Sequence, residues 1–551
     1  MPLAPAIAPP RLALAWASSL SGLAALVLGG LLVLSITGTA VLDTADASWM
    51  LAGPMGWDPT QYYLGWRLFA QSAWSWPPGL NPDYGMELAS GIFYADAIPL
   101  IALPLKLLAP GTQQYWGLWL LGCGALQGFC AWLLLGRATP HPMARLLGAG
   151  LFVLQPMLLG RMGGHLALAG QFSILAALAL ALRPGVAPGR QGLAWLGLLG
   201  ATALIHSYLL VMVAAIWAAD WLRRALAGGL RWPLLAEALA QPAACAVALW
   251  LSGFFSLSGG MGAPGYGNMM LDLLAPFDRG DWGAFLPDLP SEPHPESGGL
   301  YLGAGGLLVL AMGAACAVWR PRPHRHWAAP WPLLAAMLAM LAFAATNNLT
   351  MLGRTTTLFE LPDWLQAAAS TLRASERFAW PALYLALLLA MGAIARAMGG
   401  ARTAIALGAA LALQAADLRP GIGAAQAIMA QAVATPQPLP DPFWAEARAR
   451  YGRIRAIPAE NLGEDWKPVA TVAARLRMAT DAVYLARIDP AAMASLRETM
   501  ARRLATGDYE PGTLYVLRDA PSRERARQGM NPAHDLLTRV DGLDVLAPGW
   551  R

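Results

Sequence analysis

The sequence predicts an all-α polytopic membrane protein with about eleven transmembrane helices and a small C-terminal α/β extracytoplasmic domain. Three observations predict it. Of the 551 residues, 57% are hydrophobic and only 13% charged, where a soluble chain carries about a quarter charged residues. Apolar runs long enough for a bilayer core, roughly 20 residues, recur through the first three quarters of the chain. After Asp417-Leu418-Arg419-Pro420 the composition turns polar and the periodicity changes.

In chain order, the expected spans are 15–38, 114–136, 146–160, 166–182, 192–205, 208–222, 233–258, 300–319, 328–346, 378–396 and 403–417. The first apolar run, Leu12 to Val41, is too long for a signal-peptide core and reads as an uncleaved span. The short pair at 192–205 and 208–222 reads either as two helices or as one tilted helix interrupted at Ile205-His206-Ser207. These spans make 1–417 a transmembrane domain, with 42–113 as its first outer loop and 259–299 as a second long loop.

The first loop holds six acidic residues, Asp43, Asp46, Asp58, Asp83, Glu87 and Asp96, among many tryptophans and tyrosines. Those aromatic residues suit a membrane–water interface. Within the loop, Tyr94–Pro110 is apolar enough to cross, yet it carries Asp96, Lys106 and prolines at 99, 104 and 110. Charge chooses between the two readings. If the segment dips in and returns, the loops bearing Arg137 and Arg145, Arg183 and Arg190, Arg223, Arg224 and Arg231, Arg320, Arg322 and Arg325, and Arg396 and Arg402 all become cytoplasmic. That puts twelve arginines inside, as the positive-inside rule prefers. Segments 42–113, 160–165, 259–299 and 347–377 then face outward, as does 418–551.

The C-terminal part, 418–551, starts with a polar helix-like stretch and a proline-rich linker at Pro436, Pro438, Pro440 and Pro442. Strands are predicted at 453–457, 482–488 and 513–518, with helices at 465–477 and 491–504. This alternation indicates an α/β module of about 100 residues.

Candidate chemistry falls on the outer face. Asp58 and Asp96 are carboxylates beside a membrane surface, where partial desolvation raises a base toward neutrality. Asp58 precedes Pro59 and also suits a helix start. Arg161 and His165 share a Gly-containing turn that either contacts a phosphate or sugar or merely anchors helix ends. His206 is polar inside an apolar run, so it faces a cavity or caps a helix break. In the 259–299 loop, rich in proline and glycine, Tyr266 and Glu296 are candidate substrate contacts under a lid. Asp288, His294 and Glu296 match no firm metal spacing, so a divalent metal is not indicated and no cofactor is expected. Arg373 and Arg377 are four apart, and on a helix one face would present both to a phosphate. Cys123, Cys130, Cys245 and Cys316 all lie in apolar runs, as small core residues do.

Four features together resemble the GT-C superfamily of integral membrane glycosyltransferases. They are Asp58 in a long first outer loop, followed by Tyr62-Tyr63-Leu64-Gly65-Trp66; an interfacial helix opening with Asp96-Ala97-Ile98-Pro99-Leu100; the Arg161–His165 turn; and the C-terminal outer module. The resemblance covers about residues 15–417 and is architectural. More narrowly, the chain resembles a bacterial branch sharing the Gly-Trp plus Asp-Ala/Ser-Ile-Pro pattern. The superfamily often has another acidic residue in its second outer loop, where this chain has Arg161 and His165. The resemblance implies inverting transfer of a sugar from a polyprenyl-phosphate-linked donor to a glycan, lipid or protein acceptor. Transfer would occur on the outer face of a bacterial cytoplasmic membrane, amid membrane lipids and without nucleic acid. It implies Asp58 or Asp96 as base and Arg373 and Arg377 at the phosphate. A transporter or lipid flippase, or a scaffold with an outer sensing module, are the alternatives. The former would need intramembrane charges along a pathway and often internal repeats, and no repeat is visible here.

Overall fold

The computed structural model describes residues 11–51, 58–88, 91–183, 185–257, 265–290, 299–319, 330–430 and 439–551, with backbone alone over 11–18. It is mostly helical up to residue 430 and ends in a small α/β domain. Among the described residues, four helices are long and apolar enough to cross a membrane: Ser19–Thr37, Trp116–Leu135, Trp232–Leu251 and Ser375–Met398. This corrects the expected count of eleven. Helices do form at the seven other places, but most stop short. Pro142–Val153 has 12 residues, about 18 Å at 1.5 Å per residue, against a hydrocarbon core of about 30 Å. Proline opens that helix and the next turn at Pro156, which divides what reads as one apolar run. Ser207–Gly228 has the length, at 22 residues, but contains Asp220, Arg223 and Arg224.

The short pair is two helices, Pro188–Ala203 and Ser207–Gly228. The break is at His206, whose extended backbone (φ −165°) lets its Nδ1 accept from the Tyr208 N–H. The segment 94–110 contains a ten-residue helix, Pro99–Leu108, about 15 Å long and too short to cross.

Glycines set a close helix contact. The first helix meets Trp116–Leu135 so tightly that a Cβ on Gly29 would lie 2.1 Å from the Gly124 carbonyl oxygen. Small residues allow this approach where lipid gives no hydrophobic drive to pack. Farther along, buried Asp220 accepts from Gln191, Trp195, Arg223 and Arg224. Arg224 also pairs with Glu237, so these charges tie three helices together as buried ion pairs.

An antiparallel hairpin, β1 (Asn348–Met351) and β2 (Arg354–Thr357), lies in the 347–377 segment. The C-terminal sheet comprises β3 (Arg453–Ile457), β4 (Ala479–Thr480), β5 (Thr513–Leu517), β6 (Leu536–Val540) and β7 (Leu543–Ala547), in the order β4-β3-β5-β7-β6. β3 runs parallel to β4 and β5, and β7 is antiparallel to β5 and β6. The expected helices form as Trp466–Leu476 and Pro490–Thr506. The expected strand at 482–488 does not form. The sheet takes Ala479–Thr480 instead, and residues 480–486 bond to the first loop. The Ala520–Gly529 helix and β6 and β7 were not anticipated from the sequence; Asp519 caps that helix by accepting from the Ser522 N–H.

The α/β domain shares a core with the helical part of the chain. Leu64 and Leu68 of the Asp58–Gln71 helix pack in one cluster with Trp466 and Ala470. Arg455, 1% exposed, bonds to Glu87 of the first loop as well as to Asp481 and Glu510. The domain therefore docks on the loop that carries the candidate carboxylates.

Candidate active site

The Asp58–Gln71 helix begins at Asp58, and an acidic residue in the first turn is favoured by the positive helix end. Its side chain meets His165, whose Nδ1 lies 2.8 Å from Asp58 Oδ2. Burial lowers the pKa of His165, as do the Arg377 and Arg161 charges, against the opposing pull of Asp58. The imidazole is accordingly neutral near pH 7, its Nδ1–H donates to Asp58, and its Nε2 is left as an acceptor.

Asp96 sits at φ 45°, and Ile98 at φ 48°. For a β-branched residue this is a true outlier, costing of order 1–3 kcal/mol. It persists because Ile98 is fully buried and because Pro99 opens the following helix. The turn aims Asp96 into the same cavity as Asp58. Burial raises Asp96 to about 7, and the Asp58 charge adds to the rise; the Arg377 and Arg487 charges and a hydrogen bond from Tyr62 act against it. His206 Nε2 lies 3.8 Å from Asp96 Oδ1, beyond hydrogen-bond length. Burial, then the Arg377 and His165 charges, push His206 down to about 3, so this contact is not an ion pair near neutral pH.

These groups line one cavity of about 290 Å³, together with Arg373, Arg377, Tyr484 and Arg487. Arg377 is 3% exposed, with its guanidinium 5.2 Å from the Tyr208 ring. Six of the nine residues singled out from sequence therefore converge: Asp58, Asp96, His165, His206, Arg373 and Arg377. The route differs from the expected helix face for the last two. Arg373 lies in irregular chain, and a 3-10 turn, Ser375–Ala379, carries Arg377.

Arg161 is buried and does not line the cavity, although its charge acts on His165. Tyr266 is spent on structure: its hydroxyl donates to the Phe343 carbonyl and its own carbonyl accepts from Gln366. The described part of the expected lid, 265–290, does not reach the cavity wall. Glu296, with His294, lies outside the described residues. Among the described residues, no three or more metal-ligating side chains converge. What sequence reading missed is Tyr484 and Arg487. They belong to a segment read as an ordinary strand, and only its docking brings them here.

Asp96 makes stability depend on pH. Its folded value, about 7, exceeds the unfolded value near 3.9. Between those values the folded chain binds more protons than the unfolded one, so this contribution falls as pH rises through that window. The melting temperature of the wild type is expected to drop relative to Asp96→Asn from pH 5 to pH 8. A pH-independent difference between the two would remove the shift.

The fold and site define a helical protein compatible with a membrane, carrying an ionisable cavity closed by a C-terminal α/β domain. A family described as "Domain of unknown function (DUF6311)" matches residues 26–419, and one described as "DUF6311 C-terminal domain" matches 443–548. The chain belongs to the DUF6311 family. No curated protein matches it.

Proposed function

We propose that the protein is an inverting membrane glycosyltransferase of GT-C type, using a polyprenyl-phosphate-linked sugar on the outer face of a bacterial cytoplasmic membrane. The observation that carries this reading is the joining of two carboxylates and several guanidinium groups in one cavity. In a single displacement the acceptor hydroxyl attacks the anomeric carbon while Asp58 takes its proton. The bond from that carbon to the phosphate oxygen breaks, and the electron pair leaves on the phosphate. Arg373 and Arg377 hold the developing charge. His165 orients Asp58, and Asp96, largely protonated below pH 7, limits repulsion of the phosphate.

The transporter reading has less support. Asp220, Arg224 and Glu237 are paired with one another and do not line the cavity, so they form no row of charges leading from it.

The test is incubation of the full chain in lipid nanodiscs with polyprenyl-phosphate hexoses and pentoses, reading release of polyprenyl phosphate. Release that requires Asp58 is expected. No release and no donor binding across the panel would overturn the reading. Sidedness is tested separately by cysteine labelling: position 520 is expected to react from outside and positions 137–145 and 183–190 from the cytoplasm. Labelling of position 520 only from the cytoplasm would reverse the orientation and the dipping segment with it.

A further inference from the structure

We infer that the C-terminal domain is part of the ligand site, with Arg487 and Tyr484 joining Arg373 and Arg377 around a phosphate-bearing ligand. This rests on the reading of the cavity as a phosphate site and adds a second domain to it.

The docking is specific at the backbone. The Thr480 N–H donates to the Asp83 carbonyl and the Gly85 N–H to the Thr480 carbonyl, each at 2.9 Å. The Tyr84 hydroxyl donates to the Tyr484 carbonyl at 3.0 Å, and the Ala486 N–H to the Tyr94 carbonyl at 3.1 Å. Residues 480–486 are therefore bonded to the first loop near both ends. They bring Tyr484 and Arg487 to the wall of a cavity whose other charged groups all come from the transmembrane domain. Tyr84 is fully buried, so this seam is a packed contact.

The charge balance then selects the ligand. Three guanidinium groups line the cavity beside two carboxylates, one of which, Asp96, is raised to about 7. Near neutral pH the cavity favours an anion, and planar guanidinium groups match phosphate oxygens in pairs. Arg487 lines the same cavity as Asp96 and Tyr94, and its charge acts on both. A phosphate ester held from both domains stabilises their docking, as any ligand stabilises the state it binds.

The test titrates inorganic phosphate and a short-chain polyprenyl monophosphate into the full-length protein in nanodiscs. Arg487→Gln is expected to weaken binding about tenfold or more, and Tyr484→Phe to weaken it less. Arg525→Gln, exposed on the Ala520–Gly529 helix, serves as control and is expected to bind as the wild type does. Hydrogen exchange over 480–486 without ligand is expected to be unchanged in Arg487→Gln; if it rises, Tyr484→Phe carries the test. A loss seen with both probes indicates that a free phosphate suffices. A loss confined to the polyprenyl probe indicates a lipid headgroup. Wild-type affinity in both Arg487→Gln and Tyr484→Phe overturns the inference alone, while failure of the wild type to bind either probe overturns the phosphate reading of the cavity as well.

Discussion

Asp58→Asn is expected to lower turnover about 100-fold or more, the usual worth of a general base, with little change in folding or donor binding. Asparagine keeps the size of aspartate and accepts the hydrogen bond from His165 Nδ1 through its carbonyl, but it cannot take the acceptor proton. Asp58 is the suited member of the pair because it holds the negative charge that helps raise Asp96, and because His165 fixes its orientation at 2.8 Å. His165→Ala removes that orientation without removing the carboxylate, so a smaller loss is expected. Parallel assays of Asp58→Asn and Asp96→Asn assign the roles. Full activity in the first with a large loss in the second would make Asp96 the base, and full activity in both would move the chemistry elsewhere.

Arg455→Met is expected to destabilise the chain by about 3–5 kcal/mol, the range for breaking a buried ion pair from one side. Its Nε donates to Glu510 at 2.5 Å, its Nη1 to Glu87 and Asp481 at 3.0 Å each, and its Nη2 to Glu87 at 2.6 Å. Asp481 has no exposed surface. Burial already pushes it up, and Arg455 is the main force pulling it down. Methionine fills much of the space but leaves Asp481 buried without its bonded counter-charge, with only the Arg518 charge still acting on it. Adding Asp481→Asn to Arg455→Met is expected to recover part of the loss, since the stranded charge is then gone. Glu87→Gln, at a half-exposed position of the other domain, is expected to cost far less in melting temperature. It should raise hydrogen exchange along 480–486 by loosening the docking. An unchanged melt for Arg455→Met would show that the network adds nothing to stability.

Much of the site was legible because of contrast. Ionisable side chains are costly in an apolar chain, so Asp58, Asp96, His165, His206, Arg373 and Arg377 stood out without any knowledge of contacts. The same contrast misled at Tyr266, where a polar aromatic residue in a long loop serves packing. It also misled on the span count, because summed hydropathy does not register the prolines and buried charges that shorten or interrupt helices. Tyr484 and Arg487 gave no contrast, since both are ordinary in a soluble α/β domain.

Composition and period by themselves determined that this chain is mostly helical, rich in apolar helices, and ends in a small α/β domain. Each of these follows from local chemistry: side-chain polarity, proline positions and the repeat of apolar residues. The tertiary structure alone decided that the carboxylates at 58 and 96 share a cavity with His165 and His206, which lie far along the chain from both. It also decided that His165 holds Asp58, and that Arg455 locks the C-terminal domain over the first loop. Those facts depend on which surfaces meet, and a pairing across 368 residues such as Arg455 with Glu87 leaves no mark on the residues nearest to either partner.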